Sequence, residues 1–164
     1  LYAAGQETAM KNQLRELLAD KSPEIHSTGT DVSVMDAVRD MNYCNVGALI
    51  VLDHDKVVGV FSERDVMARV VAADLDPVTT KVAQVMTRDP VCVSPDISVE
   101  AAMSLVTEKR FRHLPVVEYG VLCGVISSGD LMRWMVRDQK HQIDDLNAYI
   151  TDTHIPPFFS SGDQ

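Results

Sequence analysis

Slid along itself by 65 residues, the sequence lays Asp31–Met67 onto Asp96–Met132 without a gap. Eleven of these 37 positions are identical, among them Gly59/Gly124, Ser62/Ser127 and Asp65/Asp130. Conservative pairs such as Val32/Ile97 and Phe61/Ile126 keep the apolar pattern at others. A unit repeated in this way is a supersecondary module that stacks on its own copy. At roughly 60 residues it buries too little apolar surface to stand alone. The second copy must therefore cover the face that the first leaves bare. Two copies related by a pseudo-twofold axis would pack sheet to sheet and leave two equivalent clefts at their junction, where small ligands tend to bind.

Each copy reads as β-α-β-β-α. An extended segment comes first, near Ile25–Thr28 and Val91–Val93. The first helix follows, with Val34, Ala37, Val38 and Met41 matched by Val99, Ala102, Met103 and Val106. Both sets have the i, i+3, i+4, i+7 spacing of one helical face. Ser33 and Ser98 stand where those helices would start. Two β-rich runs come next, Ala48–Leu52 with Val57–Phe61 and Leu114–Val117 with Val121–Ile126, joined by short polar links that suit hairpin turns. A second helix starts at Ser62 or Ser127. Leu14, Leu17 and Leu18 suggest a lead-in helix, matched by Val82, Val85 and Met86. The last helix runs past the repeat, since Val136, Ile143, Leu146 and Ile150 share a stripe. The chain is thus divided into a segment 1–13, a first repeat over 14–74, a second over 75–137, a helical extension over 138–151 and a loose tail over 152–164. It begins with Leu rather than Met, and residues 1–9 read as a cloning remnant with Met10 as the native start. They have neither the basic nor the apolar region of a signal peptide.

Charge and cysteine content narrow the function. Fifteen Lys and Arg against 24 Asp and Glu leave a net charge of −9, which argues against general nucleic-acid binding. No apolar run approaches the ~18 residues of a membrane span. Cys44, Cys92 and Cys123 stand far apart without metal-ligand spacing, which suits a reducing compartment and reads as three small buried hydrophobes. The expected location is cytoplasmic, with an organelle matrix as the other reducing choice.

The most pointed feature is Gly-Val-Phe-Ser-Glu-Arg-Asp at 59–65, echoed by Gly-Val-Ile-Ser-Ser-Gly-Asp at 124–130. A glycine inside a strand admits a close approach to the backbone. Ser62 and Ser127 suit helix N-caps, and Asp65 and Asp130 then fall at the third helical position, where a carboxylate favours the dipole. Capping alone accounts for one such motif. Two of them, each facing a predicted cleft, also suit a ribonucleotide. A helix N-terminus attracts an anion, a serine hydroxyl adds a bond, and a carboxylate can accept from both hydroxyls of a ribose diol. Arg64, Arg110, Arg112 and His113 form the basic focus of an acidic chain; Arg110 and Arg112 read equally as solvated charge.

At this point the two copies resemble a tandem pair of CBS domains, the module named after cystathionine β-synthase and also called a Bateman module. GVFSERD, GVISSGD and HLPVVEYGVLCGVIS carry the resemblance, which covers about Leu14 to Val136. RFRHLPVVE and LNAYI are also similar to small stand-alone CBS-pair proteins. The implied fold is α/β (α+β), two β-α-β-β-α repeats with a long C-terminal helix. The implied ligand is adenosine-containing: AMP, ADP, ATP or NAD. S-adenosylmethionine is disfavoured because clustered Arg prefers phosphate to a sulfonium. The implied ribose residues are Ser62, Asp65, Ser127 and Asp130. Arg112 and His113 would take phosphate, with Arg64 and Pro115 completing the set. The first copy departs from the pattern, with Asn45-Val46-Gly47-Ala48 in place of the basic run.

No catalytic constellation is legible. The five histidines lack the HExxH spacing, and there is neither a phosphate-binding glycine-lysine loop nor a nucleophile elbow. Asp53-His54-Asp55 reads as a solvated turn, and no metal is expected. The expectation is a non-catalytic nucleotide sensor for energy status that forms a homodimer and acts on an unidentified protein. The rivals are a ligand-free interaction module and a nucleotide-processing enzyme. The two clefts are expected to be unequal, because Arg64 is matched by Gly129 and Arg112 by Gly47.

Overall fold

The computed structural model describes residues 13–21 and 24–152, with side chains to residue 148. The first repeat runs β1 (Ser27–Gly29), α2 (Val34–Cys44), β2 (Ala48–Asp53), β3 (Lys56–Ser62) and α3 (Glu63–Asp65), which continues as a π-helical segment Val66–Val71. The second runs α5 (Val99–Lys109), β5 (His113–Glu118), β6 (Val121–Ser127) and α6 (Ser128–Asp152). A lead-in helix precedes each, α1 (Leu14–Ala19) and α4 (Val82–Val85), and β4 (Thr87–Arg88) follows α4. Up to Leu131 the described residues form one compact unit; the remainder of α6 belongs to a second.

Side-chain alternation along the strands explains the core. Leu49 and Val51 of β2 and Phe61 of β3 enter a cluster with Val34, Ala37 and Met41 of α2. Ile50 points to the other face and is also buried, as period-two geometry dictates. Leu114, Val116 and Ile126 repeat the arrangement in the second copy. Ser33 and Ser98 cap α2 and α5, accepting from the Asp36 and Ala101 amides. Both hairpins close through two residues at positive φ, His54-Asp55 and Tyr119-Gly120, as a primed turn requires.

The lead-in helices do not stay with the repeat that follows them. The backbone amides of Leu14 and Arg15 donate to Ile97 and Pro95 of the second repeat, at 3.0 and 2.9 Å. Arg15 also bonds Asp96 and Glu118 there. The amides of Val82 and Ala83 donate back to Val32 and Thr30 of the first repeat. Val82, Val85 and Met86 belong to the first repeat's core cluster. Each copy is therefore completed by the segment that introduces the other. This exchange also explains the motif glycines. A Cβ on Gly59 would collide with Met86 Sδ, and one on Gly124 with Leu18 Cδ2. The close approach they permit is that of the exchanged lead-in.

The structure departs from the sequence reading at two further places and adds to it at two others. The extended segment at Val91–Val93 pairs at one residue only: Val93 bridges Val116 in parallel, where its counterpart β1 has three paired residues. Pro90 and Pro95 flank it and supply no N–H. Residues 72–80, which join the two repeats, also hold the start of α2, since the Thr80 and Pro77 carbonyls accept from its first amides. The cysteines are not buried: Cys92 and Cys123 are exposed and Cys44 is half-buried, all as free thiols. Cys123 lies on the outward-facing register of β6, between the inward pair Gly124 and Ile126 and the turn. Finally, the stripe on α6 is solvent-facing, with Val136, Ile143 and Leu146 about 60% exposed. The Ile150 side chain, the tail and residues 1–12 lie outside the described residues.

Candidate functional site

The turn from β3 into α3 sets the site. Asp65 Oδ2 accepts from the Ser62 amide at 2.9 Å and from Ser62 Oγ at 2.7 Å. The capping reading of the sequence is thus realised. Oδ1 of the same carboxylate faces Thr87 Oγ1 and an Arg69 Nη, both at 3.3 Å. Asp65 is nearly buried, yet it lines a cleft of about 390 Å³. Val60, Ala68, Pro90 and Val91 give this cleft an apolar side, with Phe111 as its aromatic residue. Lys109, Arg110, Arg112 and His113 from the end of α5 and the start of β5 line it too, as do Gly47, Ser62, Glu63, Arg64, Arg69 and Thr87.

The junction therefore brings the basic run of the second repeat to the serine–aspartate turn of the first. Five Arg and Lys face two carboxylates, Glu63 and Asp65, an excess of three positive charges in a chain of net charge −9. Arg69 is committed elsewhere, donating to the Val85 and Met86 carbonyls at 2.9 and 2.7 Å. Arg64, Lys109, Arg110 and Arg112 are exposed at the rim. Arg110 ends α5 in the left-handed region, φ 56°, a conformation that Asn45 at the matching place adopts at lower cost. Burial above all, with the Lys21 and Arg112 charges adding to it, lowers the His113 pKa from its ordinary value.

The second turn repeats the cap. Asp130 Oδ2 accepts from the Ser127 amide and hydroxyl at 2.8 and 2.7 Å. It also accepts from Lys21 Nζ at 2.8 Å. Burial pushes the Asp130 pKa up, but the Lys21 and Ser127 bonds outweigh it and hold the group at about 2. Pro115 is buried in β5, its carbonyl bonded to the Val93 amide, and is not among the residues lining the 390 Å³ cleft. Arg69, Thr87 and Lys109 escaped the sequence reading, and Phe111 entered it only as a member of the basic run. Only Arg69 left a signal, one helical turn after Asp65. His54 is fully exposed and bonds Asp53, and no three metal-ligating side chains cluster among the described residues.

The depressed Asp130 value sets an acid limit. Its ionised form stabilises the fold above the ordinary carboxylate pKa of 3.8, and that contribution is lost as pH falls towards about 2. The urea midpoint of Asp130→Asn should lie below that of the parent at pH 5. The gap should narrow steadily below pH 3.8 and be mostly gone at pH 2; a gap at pH 2 as wide as that at pH 5 contradicts this assignment.

Two family-model matches, described as CBS domain, cover residues 15–72 and 82–137. The chain belongs to the CBS-domain family. It is 36% identical over 126 residues to the CBS domain-containing protein CBSX3, mitochondrial, of Arabidopsis thaliana, covering 74% of this chain and 61% of that one. It thus spans about three-fifths of that relative. A solved putative signal-transduction protein with CBS domains from Burkholderia ambifaria shares 35% identity over 77% of this chain and 96% of that one, with TM-score 0.74. CBSX2, solved in complex with AMP, shares 27% over 78% and 98%, with TM-score 0.65. The chain is accordingly a pair of CBS domains, a regulatory module, and the second match ends at residue 137, inside α6. No described helix is long and apolar enough to cross a membrane.

Proposed function

We propose that this CBS pair is a non-catalytic sensor that binds one adenine nucleotide, AMP, ADP, ATP or NAD, in the Asp65 cleft and passes its occupancy to a partner protein. The observation that carries this reading is the meeting of the Ser62–Asp65 turn with the Lys109–His113 run in one cleft. The carboxylate suits a ribose diol, the apolar side suits adenine, and the rim cations suit phosphate, for which an Arg fork can engage two oxygens. The AMP complex of CBSX2 supports the ligand class. Signalling requires that the nucleotide bind two arrangements of the repeats unequally. A reducing setting, cytoplasm or organelle matrix, suits the free thiols.

Titration calorimetry with AMP, ATP, NAD and adenosine tests the reading. Arg64→Ala and Arg112→Ala should each weaken ATP more than adenosine, and added salt should do the same. No heat with any of the four would leave an interaction scaffold instead, and turnover of ATP or NAD would reveal an enzyme. We also propose a homodimer that covers Val136, Ile143 and Leu146. Sedimentation should show a dimer that a chain ending at Arg137 weakens; a monomer at tens of micromolar overturns this.

A further inference from the structure

The two oxygens of the Asp65 carboxylate are not equally open. A carboxylate offers about four lone-pair sites, two on each oxygen. The Ser62 amide and hydroxyl fill those on Oδ2. On Oδ1 one site accepts from Thr87 Oγ1, at 3.3 Å. Arg69 Nη1 stands at the same distance from Oδ1, but it donates to the Val85 and Met86 carbonyls, which takes both hydrogens of that nitrogen. One acceptor position is therefore open on Asp65, whereas a diol brings two hydroxyls. The second acceptor is at hand in Thr87. Its hydroxyl gives its one hydrogen to Oδ1 and keeps lone pairs that can accept. Both residues line the same cleft. A cis diol carries two hydroxyls within hydrogen-bond reach of each other, and Thr87 Oγ1 and Asp65 Oδ1 are likewise one hydrogen bond apart.

We propose that Thr87 reads the sugar: it accepts one ribose hydroxyl while Asp65 Oδ1 accepts the other. The inference rests on the reading of the Asp65 cleft as a nucleotide site, and it adds a preference for a sugar with two adjacent free hydroxyls. Thr87 opens β4, which follows α4 and pairs with β3 through Val60. One half of the sugar site thus comes from the first repeat's own turn and the other from the segment that the repeats exchange.

Calorimetry on the full chain compares AMP with its two monodeoxy analogues, one lacking each ribose hydroxyl. Thr87→Val, at an exposed strand position that suits valine, should weaken AMP by about 2- to 12-fold, the worth of one neutral hydrogen bond. The analogue without the hydroxyl that Thr87 takes should bind parent and variant alike, and the other analogue should lose as much as AMP. Thr87→Ser, which keeps the acceptor, should bind AMP like the parent. An equal loss with AMP and both analogues would make Thr87 a support for Asp65 only. Unchanged AMP binding in the folded Thr87→Val chain would leave it no part in the site. Either result overturns this proposal and leaves the proposed function standing; no heat with AMP in the parent overturns both.

Discussion

Asp65→Ala is expected to weaken adenine-nucleotide binding by about 10- to 150-fold while the chain stays folded. A hydrogen bond to a charged group contributes about 1.5–3 kcal/mol, and 1.4 kcal/mol is one decade of affinity. The substitution also removes the cap on Ser62, a loss on the order of 0.5–2 kcal/mol. That is small against a typical domain stability of about 5–15 kcal/mol. Arg69 keeps its two backbone carbonyls, so it is not stranded. Calorimetry on the folded variant decides the matter. Unchanged affinity would assign Asp65 to capping alone.

Phe61→Ala should lower the unfolding free energy by about 3–5 kcal/mol, the usual cost of emptying a buried aromatic position. Phe61 is fully buried in the cluster that joins α2 and β2 to Val82, Val85 and Met86 of the exchanged lead-in. The cavity would lie where three parts of the chain meet, so little relaxation can fill it. Val78→Ala, at an exposed position, should stay within about 0.5 kcal/mol of the parent. Urea unfolding of both variants measures the contrast. Equal midpoints would mean that the Phe61 site collapses without loss.

The repeat itself was open to a reader of the sequence because period and pattern are local properties. Ser62 with Asp65 and Ser127 with Asp130 were legible as caps for the same reason, since three residues of separation fix their geometry. The pairing of Arg64 with Arg112 was legible only as one of two ways to join the copies. What stayed hidden depended on contacts between distant segments. Lys21 meets Asp130 across 109 residues, and Thr87 reaches Asp65 because the segment holding it crosses to the first repeat. The glycines looked like openings for a ligand, yet their neighbours are Met86 and Leu18. Cysteine burial was misjudged because residue type was weighed without strand register: the outward phase of β6 falls on Cys123.

On a ribosome, α1 emerges first, and the Gly124 backbone that it covers follows more than a hundred residues later. Until then Leu14 and Leu17 have no interior to enter. The first repeat waits as well, because its core takes Val82, Val85 and Met86. Its last core member is Met86, so the first repeat can close once α4 is made, whereas α1 stays uncovered until β6 follows. A nascent chain halted near residue 80 would carry two unfinished apolar surfaces at once, and such surfaces are what chaperones bind.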